Sequence, residues 1–214
     1  MASTLLDGKD FKLGTFSSNC SSGLAVTKAP DRWSGSWEDN LKLAKICDET
    51  GIDFMLPIAR WIGYGGETNF HEGVLDPTTW AAGLLANTKR LNVFATIHTA
   101  FNHPIVVAKQ MATVDQIGQG RAGINIVAGW NKPEYDTFGM DLPQNHDDRY
   151  ALAQEWWDII KKIWTTPGKF DWDGKFFKLN HVEGLPKPYD GLIPVLNAGS
   201  SDQGRAFGAR NANF

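Results

Sequence analysis

The chain has 214 residues, 42% of them hydrophobic and 21% charged, a balance typical of a globular domain with its own core. A formal net charge of −3 with scattered basic residues argues against a nucleic-acid-binding or anionic membrane surface. The sequence shows no secretory signal and no run of about 18 apolar residues that would span a membrane. We therefore expect a cytoplasmic protein.

Apolar strands and amphipathic helices alternate along the chain. Strands are predicted at 11–16, 52–58, 91–97, 122–127 and 193–197. Helices are predicted after the capping-box segment 36–39, at 76–88, 104–117 and 149–164, and from about residue 202. An Asp173–Gly174 pair between aromatic residues is typical of a hairpin turn.

Two cysteines, Cys20 and Cys47, cannot form a disulfide framework. Cys47 lies on the apolar face of a predicted helix, where a small buried side chain is the usual role of a free cysteine. This usage indicates a reducing compartment.

The alternation of continuously apolar strands with helices predicts a parallel sheet that is covered on both faces. An open doubly wound sheet and a closed eight-stranded barrel both satisfy this pattern. Because no GxGxxG follows the first strand, the barrel is favoured. Such a barrel needs about 250 residues. The predicted fold is therefore α/β, a TIM-type (β/α)8 barrel cut off after about five strands, as a single partial domain over 1–214.

Polar, aromatic and glycine residues follow each predicted strand, at the barrel end where active sites lie. His98 follows the third strand, where an imidazole can act as an acid or a base near neutral pH. The five histidines form no HxH or HExxH pattern, so no metal site is predicted. The small-residue turn 197–204 allows two interpretations: an anion site, or an ordinary helix cap by Ser200, Ser201 or Asp202.

Several sequence blocks together resemble the bacterial-luciferase-like flavin monooxygenases, and within them most closely the branch that opens the pyrimidine ring. Dimethylsulfone and alkanesulfonate monooxygenases are near relatives of that branch. The blocks that carry the resemblance are 123–135, Phe138–Gly139, Arg149–Tyr150, Asp115–Ile117 with Gly120–Arg121, Arg60 with 63–66, and 198–201 with Gly204. The resemblance covers nearly the whole chain.

The resemblance implies non-covalently bound FMN, which reacts with O2 once it is reduced. The residues that match cofactor-binding positions are Ala59, Arg60, Asn125, Glu134, Arg149, Tyr150 and Ser201. Thr96 and Asn125 match residues that hold oxygen near the flavin, and would donate hydrogen bonds to it. Trp61, Phe101 and Trp130 would form apolar walls of the substrate site, which His98 would also contact.

The resemblance also implies partners: a separate NAD(P)H:flavin reductase that supplies reduced FMN, and further copies of the chain in a homo-oligomer. The loop after the third strand carries His98, Asn102 and His103, which depart from the uracil enzyme. A heteroaromatic ring, a cyclic amide or another small polar molecule therefore suits the site as well as uracil does. Two alternatives remain: a deazaflavin-dependent oxidoreductase of the same superfamily, and a non-catalytic flavin-binding fragment.

Overall fold

The computed structural model describes residues 4–8, 11–143 and 145–214. A 3-10 turn, Thr4–Leu6, precedes the regular elements. These are β1 (Gly14–Phe16), α1 (Trp37–Thr50), β2 (Phe54–Leu56), α2 (Pro77–Asn87), β3 (Asn92–His98), α3 (Pro104–Gly118), β4 (Ala122–Val127), α4 (Lys132–Thr137), α5 (His146–Thr165), β5 (Phe170–Asp173), β6 (Lys178–Val182), β7 (Val195–Leu196) and α6 (Asp202–Asn211). Within these ranges no helix combines the length and apolar character that a membrane crossing requires.

Five strands form one parallel sheet in the order β1-β2-β3-β4-β7. Each strand lies beside the strand that precedes it in the sequence of the sheet, which is the strand order of a (β/α)8 barrel. In a doubly wound sheet the strand order reverses at a switch point. The order confirms the predicted barrel-type α/β fold. Beyond β7, the amide of Phe214 donates to the carbonyl of Val195 (3.3 Å) and the amide of Asn197 donates to the carbonyl of Phe214 (3.2 Å), the bonding pattern of a parallel neighbour.

The elements match the predicted ones in type, but several strands are shorter than predicted. At the end of β2, Ile58 bonds to the side-chain amide of Asn19 through both its N–H (2.9 Å) and its carbonyl (2.7 Å). Because this amide replaces a strand neighbour, the regular ladder ends at Leu56 although the apolar sequence continues. The short helix α4, which follows Asn131, was not predicted.

The two faces of the sheet differ in chemistry, as the two-residue period of a strand requires. Val93, Ala95 and Ile97 of β3 belong to the main apolar core, together with alternate residues of the other strands and the inner faces of the helices. Thr96 and His98 lie on the opposite face and are buried as well. The strand reads as almost continuously apolar because both of its faces are covered.

Glycine on the inner face of the sheet makes room for large rings on neighbouring strands. A Cβ at Gly123 would lie 2.5 Å from ring atoms of Phe94, so any larger residue would displace this ring. Phe94 in turn contacts Phe54 edge to face, with ring centroids 5.5 Å apart. Large rings and a glycine thus lie side by side on neighbouring strands of the sheet.

The predicted hairpin is confirmed and is anchored on α5. Strands β5 and β6 pair antiparallel. The carboxylate of Glu155 accepts hydrogen bonds from the amides of Phe176 (3.0 Å) and Phe177 (2.9 Å) and from the indole N–H of Trp172 (3.1 Å). Burial by itself would raise the pKa of Glu155, but these hydrogen bonds outweigh it and lower the pKa.

We expect Glu155→Gln to reduce the free energy of unfolding by about 1–2 kcal/mol near pH 7, because an amide cannot accept all three bonds. Since the folded-state pKa of Glu155 is lowered, its contribution is present above the unfolded pKa of about 4.3 and is lost as the pH falls through the folded value. Urea unfolding at several pH values measures this difference. Glu67→Gln, at an exposed ion pair with Lys28, is the matched control. A difference that does not shrink in acid would contradict the assignment.

Candidate active site

A cavity of about 520 Å³ lies at the carboxyl ends of the parallel strands. This volume falls in the range of ~300–1,000 Å³ that is usual for small-molecule sites. Nine of the twelve predicted site residues line it: Ala59, Arg60, Thr96, His98, Asn125, Trp130, Arg149, Tyr150 and Ser201. Glu134, Trp61 and Phe101 are not among the lining residues. The structure thus brings together residues that are up to 142 positions apart in the chain, from Ala59 to Ser201.

Thr96 and Asn125 form a hydrogen-bonded pair on neighbouring strands. The Thr96 hydroxyl oxygen lies 2.6 Å from the carbonyl of Pro57, a contact in which only the hydroxyl can donate. Its oxygen must then accept from the Asn125 amide nitrogen, 3.0 Å away. The Asn125 Oδ1 is left buried and without a partner among the described residues. In this arrangement the hydroxyl proton of Thr96 is directed to the carbonyl of Pro57, and a hydrogen bond from Thr96 to oxygen stays a prediction.

Glu134 lies behind Arg60 rather than on the cavity wall. One carboxylate oxygen of Glu134 is 3.6 Å from Nη1 of Arg60 and accepts from the amide of Trp61 at 3.3 Å. The side chain of Glu134 is 2% exposed and that of Arg60 is 9% exposed. In this structure Glu134 contacts Arg60 and the amide of Trp61, and its reach to a flavin stays a prediction.

Trp61 and Phe101 belong to an aromatic cluster beside the cavity. The Trp61 ring centroid lies 5.3 Å from those of His98 and Phe101 and 5.0 Å from that of Phe138. Phe101 and Phe138 stack at 4.4 Å. Sequence reasoning quoted Phe138 in a family block but assigned it no role. The short helix α4 determines the position of Phe138. This helix was not predicted because its sequence has no clear apolar period.

His98 is neutral at physiological pH. Burial, followed by the positive charge of Arg60, lowers the pKa of His98 to about 4. Its Nδ1 is buried and has no hydrogen-bond partner in the described part of the chain. The role of His98 as an acid or a base stays a hypothesis, and the lowered pKa disfavours the acid role because the ring then binds a proton only well below neutral pH.

We expect the His98 imidazole to titrate near pH 4 instead of near its ordinary value of about 6.5. The unfolded chain then binds the proton more tightly, so stability should be complete above pH 6.5 and fall as the pH drops toward 4. Nitrogen-edited NMR of the ring measures the midpoint, and His98→Gln should flatten the loss of stability over the same interval. In the same spectra, His98 is compared with His181, whose side chain is exposed.

The turn after β7 contains the predicted helix cap, and an anion site there stays a prediction. Ser201 is the N-cap of α6, and its hydroxyl accepts from the amide of Gly204 at 3.1 Å. The same turn lines the cavity. Asn197 was not assigned a role by sequence reasoning, yet it braces the turn: its amide donates to the carbonyl of Ile126 (2.8 Å) and accepts from the amide of Gly199 (3.1 Å). The one feature of the sequence that pointed to Asn197 is its position, as a polar residue directly after a core strand.

Arg149 and Tyr150 face this turn from the start of α5. A Cβ at Gly199 or Gly204 would lie 2.6 or 2.7 Å from the Tyr150 hydroxyl oxygen, so only glycine allows the phenol this close. Arg149 is 7% exposed, and its Nη1 donates to the carbonyl of Gly129 at 3.4 Å. Asp148, the residue before Arg149, pairs with Lys175 at 3.2 Å. A guanidinium, a phenol and a helix start thus meet at one end of the cavity.

Comparison with known sequences agrees with this geometry. Residues 11–214 match the family described as luciferase-like monooxygenase. The pyrimidine monooxygenase RutA of Pantoea ananatis is 34% identical over 204 residues, which make up 95% of this chain and 56% of the relative. RutA of Escherichia coli K12 is 34% identical over 206 residues, with coverage of 95% and 53%. The chain spans about half the length of the curated relatives it matches.

Solved structures resemble the chain in the same region. The crystal structure of riboflavin lyase RcaE with modified FMN and riboflavin has a TM-score of 0.83 at 26% identity, covering 95% of this chain and 53% of that one. EDTA monooxygenase EmoA from Chelativorans sp. BNC1 has a TM-score of 0.84 at 22% identity, covering 95% and 55%. At such low identity the second match is evidence of the fold alone.

Proposed function

The chain belongs to the luciferase-like monooxygenase family, and on that premise we propose that it serves a two-component reaction in which reduced FMN and O2 oxygenate a small polar molecule. Ring opening of a pyrimidine-type substrate is the favoured chemistry, since the curated relatives quoted above are named pyrimidine monooxygenases. One observation supports the proposal: the cavity is lined both by Arg149, Tyr150 and the Ser201 turn and by residues whose buried polar atoms have no partner in the described chain.

The residues present fit FMN. Arg149, Tyr150 and the Ser201 turn suit a dianionic phosphate, because a guanidinium, a phenol and the amides of a helix start all donate hydrogen bonds. Among the other lining residues, Asn125 Oδ1 and two nitrogens of Arg60 are buried and without partners in the described chain. A flat heterocycle with carbonyl and N–H groups can satisfy such atoms.

We assign the chain's own residues the tasks of binding, orienting and excluding water, while bound FMN supplies the redox chemistry with O2. Ala59 and Arg60 border the flavin ring, and Glu134 acts through Arg60. Asn125 is the polar group that faces the reacting oxygen, and Thr96 orients its amide.

The remaining predicted contacts concern the substrate. We propose that Trp130 and the cluster of Trp61 and Phe101 provide an apolar wall and that His98 contacts the substrate. Such a wall limits the access of water to the reacting centre.

We also propose the partners that the family resemblance implies. A separate NAD(P)H:flavin reductase would supply reduced FMN, and the chain would assemble with further copies of itself. A cytoplasmic location is proposed because Cys20 and Cys47 are both free and buried, as in a reducing compartment.

An anaerobic titration of the chain with reduced FMN, followed by tryptophan fluorescence, tests the proposed function. Riboflavin is the control that lacks the phosphate. We expect saturable binding that requires the phosphate, followed by substrate-dependent O2 consumption when air and a flavin reductase are added. A folded chain that binds neither flavin, or one that turns over only with a deazaflavin and no O2, would refute the proposal.

A further inference from the structure

Asn19 bonds to the end of β2 at the point where the chain of β1 leaves the sheet. The amide of Ser17 donates to the carbonyl of Leu56 at 3.0 Å, and the φ of 69° at Ser17 then turns the chain out of the extended conformation. Two residues after Leu56, the side chain of Asn19 continues the ladder: Oδ1 accepts from the amide of Ile58 at 2.9 Å, and Nδ2 donates to its carbonyl at 2.7 Å. Asn19 is 0% exposed, so water does not compete for these bonds.

The hydrogen-bond partners of Asn19 fix the orientation of its side-chain amide. Besides the carbonyl of Ile58, Nδ2 donates to the carbonyl of Leu75 at 2.9 Å, while Oδ1 also accepts from the thiol of Cys20 at 3.4 Å. A flipped amide would direct its oxygen at two carbonyls and its N–H groups at the N–H of Ile58. Because buried polar groups without partners are costly, the observed orientation is the stable one.

The peptide group between Pro57 and Ile58 is held from both sides. Its carbonyl oxygen, on Pro57, accepts from the hydroxyl of Thr96 at 2.6 Å, and its N–H, on Ile58, donates to Oδ1 of residue 19 at 2.9 Å. Because a peptide group is a rigid plane, a change in the bond on one side alters the geometry of the bond on the other. The hydroxyl oxygen of Thr96 in turn accepts from the side-chain nitrogen of Asn125 at 3.0 Å.

These bonds form one hydrogen-bond network, the Asn19–Asn125 network, in which all donors point the same way. Asn125 donates to Thr96, Thr96 donates to the peptide group, and the peptide group donates to Asn19. Hydrogen bonds that follow one another in this direction polarise and strengthen each other. Since one N–H of the Asn125 amide bonds to Thr96, the network determines where the second N–H is directed.

We propose that Asn19 is a positioning residue, which orients the side-chain amide of Asn125 through this network. The proposal rests on the proposed function for the role of Asn125 toward oxygen, whereas the network is a property of the chain without flavin. Without the acceptor at residue 19, the N–H of Ile58 loses its partner and the peptide group is held only from the side of Thr96. The Asn125 amide is then less firmly directed, and poorly directed donors stabilise developing charge less well.

The test observes the network by NMR, in the chain without flavin and with oxidised FMN. Asn19→Ala should speed hydrogen exchange of the Ile58 amide about tenfold or more, the effect of one lost hydrogen bond, and should shift the side-chain NH2 resonances of Asn125. Asn19→Asp loses the N–H donors but keeps an oxygen that accepts from Ile58. It should destabilise the fold and yet leave the Asn125 resonances nearer to their wild-type positions. With a flavin reductase and O2, Asn19→Ala should lower the product formed per O2 by about tenfold.

Thr96→Val tests the network from its other side and covers the case in which Asn19→Ala does not fold. Valine keeps the shape of threonine but lacks the hydroxyl. We therefore expect Thr96→Val to shift the side-chain NH2 resonances of Asn19, which Thr96 reaches through the peptide group. The double variant Asn19→Ala/Thr96→Val should leave the Asn125 resonances where Thr96→Val alone puts them, because the network is already broken.

Asn40 is the matched control for the loss of a buried asparagine. It is also 0% exposed, and its amide donates to the carbonyl of Ser36 at 2.7 Å and accepts from the indole N–H of Trp80 at 2.9 Å. Asn40→Ala should lower the thermal midpoint as Asn19→Ala does, but leave the Asn125 resonances and the product yield unchanged. Thermal unfolding shows which variants are folded at the temperature of measurement.

Three results would overturn the inference: a folded Asn19→Ala variant with wild-type Asn125 resonances or wild-type product yield, an equal shift of these resonances in Asn40→Ala, or unchanged Asn19 resonances in Thr96→Val. If neither FMN nor riboflavin binds while the NMR shifts are as expected, the proposed function fails and the orienting role of Asn19 stands. If FMN binds and turnover occurs while the Asn125 resonances do not move, only the role of Asn19 fails.

Discussion

Asn125→Ala is expected to reduce the product formed per O2 consumed by about 100-fold, while FMN binding is largely retained. The reason is chemical: the buried amide nitrogen of Asn125 carries two N–H groups, and among the described residues it donates only to Thr96, at 3.0 Å, which leaves its second N–H for the developing charge. Loss of one preorganised polar group that acts on developing charge typically costs ~10²–10³ in rate. Oxygen uptake and product yield are measured together with a flavin reductase, NADH and a pyrimidine substrate.

Substitutions at Thr96 distinguish an orienting role from direct contact. Thr96→Val removes the hydroxyl that bridges Asn125 and the carbonyl of Pro57, so we expect a smaller loss of coupling than in Asn125→Ala. Thr96→Ser keeps the hydroxyl and should retain most of the coupling. If Thr96→Val lost more than Asn125→Ala, Thr96 itself would contact oxygen. If Asn125→Ala kept the wild-type yield, the oxygen site would have to lie elsewhere.

Arg149→Ala is expected to weaken FMN binding by about 10–100-fold and riboflavin binding hardly at all. Arg149 is 7% exposed at the end of the cavity where the Ser201 turn begins α6, and hydrogen bonds from a guanidinium to a phosphate contribute ~1.5–3 kcal/mol. The affinities are measured by fluorescence titration of both flavins. Tyr150→Phe, which removes only the hydroxyl, should show a weaker effect with the same selectivity.

Arg149→Lys and Arg90→Ala complete this comparison. Lysine keeps the charge but loses the planar donor geometry, so intermediate FMN affinity is expected. Arg90→Ala removes an exposed charge before β3 and should change neither flavin's affinity. Equal losses of FMN and riboflavin in Arg149→Ala would remove Arg149 from the phosphate site. They would instead assign it to the support of the Gly129 backbone, to which it donates at 3.4 Å.

The two predicted effects concern residues of one cavity that lie on different elements, and we expect them to be independent. Asn125 is on β4 and Arg149 is on α5, and no hydrogen bond between their side chains is recorded in the described structure. Changes at separate sites without shared partners usually add in free energy. A double variant should therefore combine weak FMN binding with poor coupling at saturating FMN.

The sequence by itself determined the elements and the end of the barrel at which the site lies. The strand–helix alternation, the caps at Ser36 and Ser201 and the residues after each strand all follow local rules of period two, period 3.6 and side-chain capping. The residues after parallel strands gather at one edge of any such sheet. The family resemblance, and not these local rules, then named the individual residues, nine of which line one cavity.

The tertiary structure decided which group each polar atom meets. Thr96 donates to a carbonyl 39 positions away, and Glu134 accepts from the amide of Trp61, 73 positions away. The neutrality of His98 comes from burial and from the charge of Arg60 on another strand end. The acceptor to which each donor bonds, and the pKa of each buried group, depend on distances and burial in three dimensions. Local periodicity carries no information about partners so far apart in the chain.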